Sequence, residues 1–454
     1  MTTPYPAGGQ SDADPHAWPA SSYVSYGGER LLPIHGPEFS ANPGATYARL
    51  RTLGPIAPVE LDNGVWGYVT TTYRAALHLL RNTPDRFSKD PNNWDALRNG
   101  QIPPSTPVLG MMRPRDNALW LDGIPHSRLR QSIADSLALV DTHALTATVT
   151  RVADALIDKF ASLGRCDLVA DYAEPLPLHV VIDMFGSPPD VARRILFGLA
   201  KLFDAAEDAD EANGELEAAC LELIHLKRRE PAADVTSWIL AHPTGITDAE
   251  MVQQLILLVA AGTTPCTGMI ANTLKLLTDD ERFSGSVFDG VHSVSQAIDE
   301  VLWEDPPIAN YSPLYARTPE TYEGVQLQTG VPIMVSFAAA NSDPALAAHA
   351  HRRAGNQAHL AFSAGVHGCP VPAPDLGRII IETALERILD RLPDIELACP
   401  SAQLLRRPGT FSSCWLSLPV TYPAVAPTPD RPPAPAAVPS ATSHFGATPW
   451  IPST

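Results

Sequence analysis

The sequence predicts a mainly α-helical protein with minor sheet, organised as a single domain. Three observations carry that expectation. From about residue 126 to 280 nearly every segment repeats its apolar residues at helical spacing. Within that stretch one helix can run from Asp248 to about Thr278, long enough to form the axis of a large core. Strand-like runs are short and sit towards the two ends of the chain.

The chain has 454 residues, of which 45% are hydrophobic, enough for one large core. Residues 1–28 are rich in Pro, Gly, Ser and Ala and read as a loose arm. Residues 423–454 are proline-rich and should be extended, without a core of their own. Between them, residues 29–422 show no linker and no internal repeat. The formal net charge of -18 argues against nucleic acid or an anionic membrane as the main partner, since both attract a basic surface. Six cysteines (Cys166, Cys220, Cys266, Cys369, Cys399 and Cys414) are scattered without a CxxC pair, so no zinc or dithiol signature is present. Reduced thiols in a cytoplasmic protein are the expectation. The first residues lack the basic and apolar regions of a secretion signal, and no uninterrupted apolar run reaches the ~18 residues of a membrane span.

Along the chain, "VWGYVTTT" (Val65 to Thr72) alternates, carries β-branched and aromatic residues, and reads as a strand. "YRAALHLLRN" after it reads as a short helix. The helical region breaks at "FGSPPD" and "HPTG". Thr247 and Glu250 form a capping box at the start of the long helix. Its middle, "AAGTTPCTG", is unusual: Gly262, Thr263, Thr264 and Pro265 interrupt an apolar helix. Pro265 has no N–H, so the Ala261 carbonyl loses its helical partner and a kink is expected. Pro and Gly cost roughly 3 and 1 kcal/mol of helix propensity. One reading is a tolerated kink in a buried helix. The other is a groove where a ligand approaches backbone and hydroxyls. Beyond "PETYEG", the runs "VQLQTGVPIMVSF" and "FSSCWLSLPVTY" read as strands.

The segment "AFSAGVHGCPVPAPDLGR" presents one sulfur, Cys369, from a glycine-rich bend just ahead of an apolar helix. A packing cysteine needs no such approach; a cysteine that meets a large flat group does. His126 and Arg130 lie four apart, hence on one helix face, and both can donate to carboxylates.

These pieces resemble the cytochrome P450 superfamily. "FSAGVHGCP" is similar to its haem-binding signature, carried here by Phe362, Gly365, His367 and Cys369. "AGTTPCT", from Ala261 and Gly262 to Thr267, resembles its oxygen-binding helix motif, and "DGIPHSRLRQSI" resembles the segment whose His126 and Arg130 reach the haem propionates. "AANSDP" stands at about the expected distance before the cysteine loop. The resemblance covers roughly residues 30 to 421. In detail it looks like the actinobacterial, conservon-associated family 157. It implies the P450 fold, with haem b held between the long central helix and the cysteine loop. It implies Cys369 as the iron ligand, and His367 as a further propionate donor.

Four departures stand against that pattern. Where the superfamily has Glu-x-x-Arg, this chain has Glu300 and Trp303, a replacement for which family 157 is known. Glu300 is then either partly solvated or supplied with charge by His351, Arg352 and Arg353. In the oxygen helix the acid position is Thr264 and the threonine position is Pro265, so the acid–alcohol relay is absent as written. Thr263, Thr264 and Thr267 are left as the hydroxyls able to carry protons. "CPVPAPDLG" is slightly long, and Leu314 stands where an arginine often meets a propionate, with Arg317 nearby.

The resemblance implies a monooxygenase of secondary or regulatory metabolism. It would insert oxygen from O2 into a small apolar molecule, with electrons from a ferredoxin and a ferredoxin reductase. The lost arginine and lost acid–alcohol pair leave a second expectation open, a haem-binding sensor or interaction protein with little turnover, linked to GTPase signalling. A third is a haem-free relic.

Overall fold

A computed structural model describes residues 25–26, 29–203, 209–280, 293–346 and 355–426. Most of the expected arm and tail, and the basic cluster His351, Arg352 and Arg353, lie outside the described residues.

Turn chemistry and alternation build the N-terminal sheet. A short strand β1 (Leu32–Pro33) and helix α1 (Pro43–Arg51) precede a hairpin of β2 (Ile56–Asp62) and β3 (Val65–Thr70). The hairpin closes at Asn63–Gly64, with Gly64 at φ 77°, the chemistry a tight antiparallel turn requires. Gly67 in β3 admits a close neighbour: a Cβ there would stand 2.6 Å from the Pro332 carbonyl oxygen. Thr72 then caps α2 (Tyr73–Arg81), accepting from the Ala75 N–H, and α2 buries Ala75, Ala76, Leu79 and Leu80. Strand β4 (Phe87–Ser88) follows.

The helical region contains α3 (Gly123–Leu137), α4 (Thr142–Phe160), the small strand β5 (Arg165–Asp167), α5 (Pro175–Met184), α6 (Pro189–Phe203), α7 (Ala209–Arg229) and α8 (Asp248–Asp279). The Thr247–Glu250 capping box is formed in both directions. Helix α9 (Val294–Glu304) leads to β6 (Asn310–Ala316), a hairpin of β7 (Glu320–Tyr322) and β8 (Val325–Leu327), and β9 (Ile333–Ser336). Helix α10 (Pro372–Arg391) follows the cysteine loop, and β10 (Glu396–Leu397) and β11 (Pro419–Thr421) end the domain.

The six-stranded sheet has the order β1-β2-β3-β9-β6-β4. β9 pairs parallel to β3 and antiparallel to β6. A second sheet has the order β10-β11-β5 and is antiparallel. The largest core gathers α3–α10 around α8, whose Leu255, Ile270, Ala271 and Leu274 are fully buried. By length and composition α8 is apolar enough to cross a membrane, but half of its most apolar window is buried in this core.

Three expectations are refined. Helix α8 stays helical on both sides of Pro265. Packing supplies the reason: a Cβ on Gly262 would lie 3.1 Å from Val181 of α5, and one on Gly268 would lie 2.6 Å from Pro307, so neighbours close on both sides of the proline. The run "FSSCWLSLPVTY" forms a strand only at Pro419–Thr421. Its earlier part is claimed by side chains instead, with Ser413 Oγ on Asp305 at 2.7 Å and the Arg406 guanidinium 4.3 Å from the Trp415 ring centre. Strands β2 and β6, both unanticipated, complete the sheet.

Candidate active site

The cysteine loop is shaped by its own backbone. Ser363 (φ 62°) and Gly365 (φ 73°) are both left-handed. Gly365 is required at its place, because a Cβ there would stand 2.4 Å from the Leu80 carbonyl oxygen of α2. The Cys369 N–H donates to the Phe362 carbonyl at 2.9 Å, and the Gly368 N–H to the Gly365 carbonyl at 3.1 Å. The loop therefore turns back on itself and leaves Cys369 an exposed residue three residues before α10 begins, with its sulfur turned towards surrounding protein. Burial of its surroundings pushes the thiol up to about 11, with the Arg130 charge acting in the opposite direction.

Around that thiol stand donors from α3 and the loop. Arg130 donates through Nη2 to the Gly368 carbonyl. Its guanidinium is held below its ordinary range by burial, with Cys369 opposing. His126 and His367 stack with ring centres 4.0 Å apart and planes 35° apart. His126 is 4% exposed, and its Nε2 is buried without a hydrogen-bond partner. Burial, then the nearby His367 and Arg130, push it down to about 4. His367 Nε2 lies 3.3 Å from Asp122 Oδ1, close enough for charge attraction but not aligned as a hydrogen bond, and its Nδ1 also lacks a partner. Burial alone would raise the Asp122 carboxyl; His367, Ser88 and the Lys89 amide together hold it below the ordinary carboxylate range.

The middle of α8 behaves unlike the rest of that helix. Ala261 is exposed in the centre of a core helix, and residues 262–265 and 267 are half-buried. Thr263 turns its hydroxyl back onto the helix and donates to the Val259 carbonyl at 2.8 Å. Gly262 makes room for α5: a Cβ there would stand 3.1 Å from Val181. Cys266 is buried, and a Cβ on Gly377 of α10 would lie 4.0 Å from its sulfur. Burial pushes that thiol up to about 12.

Beneath the loop, the residue before Glu300 carries a buried ion pair. The carboxylate that Arg378 grips is Asp299, at 2.9 Å. Trp303 is buried and donates its indole N–H to the Asn356 carbonyl at 2.9 Å. Leu314 is fully buried among apolar side chains. Arg317 instead reaches Asp122 at 2.7 Å. Sequence reasoning missed Asp122, Lys89, Asp299 and Arg378. Asp122 adjoins the His126 motif and Asp299 adjoins Glu300, but their partners lie 33 to 245 residues away in sequence, and no local pattern records such pairs.

No family profile matches the chain. Among proteins of known activity, it is 30% identical over 403 residues to 2-hydroxy-5-methyl-1-naphthoate 7-hydroxylase of Streptomyces carzinostaticus, covering 85% of this chain and 96% of that one. It is 27% identical over 398 residues to the cytochrome P450 monooxygenase PikC of Streptomyces venezuelae, covering 85% and 92% respectively. Among solved structures, CYP154C4 from Streptomyces sp. W2061 superposes with a TM-score of 0.77 at 28% identity, covering 86% of this chain and 98% of that one. The helical architecture, the exposed Cys369 ahead of α10 and these relatives lead to one conclusion: the chain belongs to the cytochrome P450 superfamily.

Proposed function

We propose that this chain is a haem-thiolate monooxygenase acting on a small apolar molecule, with Cys369 as the iron ligand and haem b as the cofactor. The carrying observation is Cys369, an exposed residue at the end of a loop whose backbone is otherwise spent on itself. The surrounding residues fit such a group. His126 Nε2 and His367 Nδ1 are buried polar atoms without partners, and with Arg130 they supply donors for two carboxylates. Phe362, Gly365 and Ala261 would line its faces. Bound there, haem supplies O2 activation, which a thiolate ligand favours by pushing electron density towards iron.

The protein's own part is to bind, orient and deliver protons. Thr264 and Thr267 are the hydroxyls best suited to proton delivery, since Thr263 already donates to Val259. Electrons would come from a ferredoxin and its reductase in the cytoplasm. Residues 29–422 would form the catalytic domain, flanked by arm and tail. The Glu300–Trp303 departure supports placement in family 157. A second reading, a haem-binding sensor with little turnover, is favoured by Pro265 at the alcohol position and by the engaged Thr263 hydroxyl.

The reduced carbon-monoxide difference spectrum tests the first reading. Wild-type protein should give the red-shifted thiolate-type Soret band, and Cys369→Ala should lose it; a band that survives this substitution removes Cys369 as the ligand. Product formation after a substrate-induced spin change separates enzyme from sensor.

A further inference from the structure

We propose that Asp299 and Trp303 of α9, together with Arg378 of α10, are positioning residues for the Cys369 sulfur, fixing the segment 355–360 from which the cysteine loop hangs. This rests on the reading of Cys369 as the iron ligand. The two α9 residues are four apart and so share one helix face.

Asp299 is 7% exposed, and a carboxylate that buried requires partners. Its Oδ1 accepts from Arg378 Nη1 at 2.9 Å and from Gln357 Nε2 at 3.5 Å, and its Oδ2 accepts from the Gly355 N–H at 3.2 Å. Arg378 is itself fixed. It donates to Glu382 at 2.9 Å, to the Ser295 carbonyl at 3.2 Å and to the Ser295 hydroxyl. One guanidinium thus ties α9, α10 and the carboxylate that holds Gly355.

Trp303 makes the second attachment. Its indole N–H donates to the Asn356 carbonyl, and its ring meets His359 edge-on, with centres 5.8 Å apart and planes at 89°. His359 in turn packs on Phe362 at 5.5 Å, and the Phe362 carbonyl accepts the Cys369 N–H. Asn341 closes the same segment from a third side, donating to the Leu302 carbonyl and accepting from the Leu360 N–H. A continuous series of contacts therefore runs from α9 to the amide beside the sulfur. The division of labour explains how tryptophan serves where an arginine is expected. The indole N–H supplies a donor to the Asn356 carbonyl, while a cation from α10 pairs with Asp299.

Outer partners that orient a metal ligand typically change metal affinity or activity 10–100-fold when altered. The test titrates hemin into full-length apoprotein of the wild type and of Asp299→Asn, Trp303→Phe, Glu386→Gln and Cys369→Ala. Haem retention, far-UV melting, and the thiolate-type fraction of the reduced carbon-monoxide spectrum per bound haem are read well below each melting temperature. A role in mere folding lowers melting but leaves the spectral fraction per haem intact. We expect Asp299→Asn to weaken haem retention by about 10–100-fold and to lower the thiolate-type fraction. Trp303→Phe keeps the aromatic contact with His359 but loses the N–H to Asn356, and should lower the fraction less. Glu386→Gln, on the exposed side of α10, should keep the wild-type fraction. If Asp299→Asn does not fold, Trp303→Phe decides by the same reading. An unchanged thiolate-type fraction in both variants, or an equal loss in Glu386→Gln, overturns the assignment. A wild type without the thiolate band, or a Cys369→Ala variant that keeps it, overturns the ligand reading instead, and the positioning role falls with it.

Discussion

The cysteine loop and the middle of α8 solve opposite problems. In segment 355–369, backbone and buried side chains are committed: Asp299, Trp303, Asn341, Leu80 and Phe362 each fix a particular atom. In residues 261–267, most side chains are half-buried, the Thr263 hydroxyl bonds its own helix, and the glycine packs on α5. The difference teaches that this protein invests its precision in presenting a sulfur. The opposite wall is shaped mainly by the helix packing that surrounds it, which leaves room for side-chain variation without loss of the fold.

The comparison breaks most decisively at Cys369. Replacement by alanine should abolish the thiolate-type spectrum, whereas alanine at Cys166, Cys220, Cys266, Cys399 or Cys414 should leave it in place. The next largest effect is expected at Gly365. Alanine there combines a left-handed backbone with a Cβ 2.4 Å from a carbonyl oxygen, so a loss of roughly 2–5 kcal/mol is expected, read from the urea midpoint. Ser363 provides the control in the same loop. Its φ of 62° is strained for serine, so Ser363→Gly should stabilise by about 1 kcal/mol by the same measurement. A destabilised Ser363→Gly would show that the side chain outweighs the strain.

Acid sharpens the comparison further. His359, beneath the loop, is 5% exposed, and burial holds it down to about 4 from an ordinary 6.5. The unfolded chain therefore takes up a proton at higher pH than the folded one. Stability from neutral His359 is complete above about pH 6.5 and is lost as pH falls towards 4. That difference corresponds to on the order of 3 kcal/mol. His359→Phe should flatten the fall of the apoprotein melting temperature between those values; an unchanged slope would place the acid sensitivity elsewhere, for instance at His126 or His179. The smallest effect is expected on α8. Thr263→Val should change stability by no more than about 0.5 kcal/mol and leave product formed per NADH unaltered, because its hydroxyl is already given to Val259. Thr264→Val and Thr267→Val should lower that ratio. Equal ratios in all three would show that protons travel by another route.

By itself the sequence determined the helical class, the limits and capping of α8, the β3–α2 unit, the helix face shared by His126 and Arg130 and the glycine-rich bend before Cys369. Each is written in neighbouring residues: a capping box spans three positions, a helix face four, and a glycine-rich bend a handful. Only the tertiary structure decided that Gly262 serves Val181, that Thr263 faces its own backbone, and that Asp299 takes Arg378 from 79 residues away. It also decided that "FSSCWLSLPVTY" remains mostly irregular, because Asp305 and Arg406 claim its side chains. The physical reason is common to these cases. Local propensity fixes which backbone shapes are affordable, but a buried charge or an empty volume is satisfied by whichever partner the fold brings within contact, and that choice is made in three dimensions.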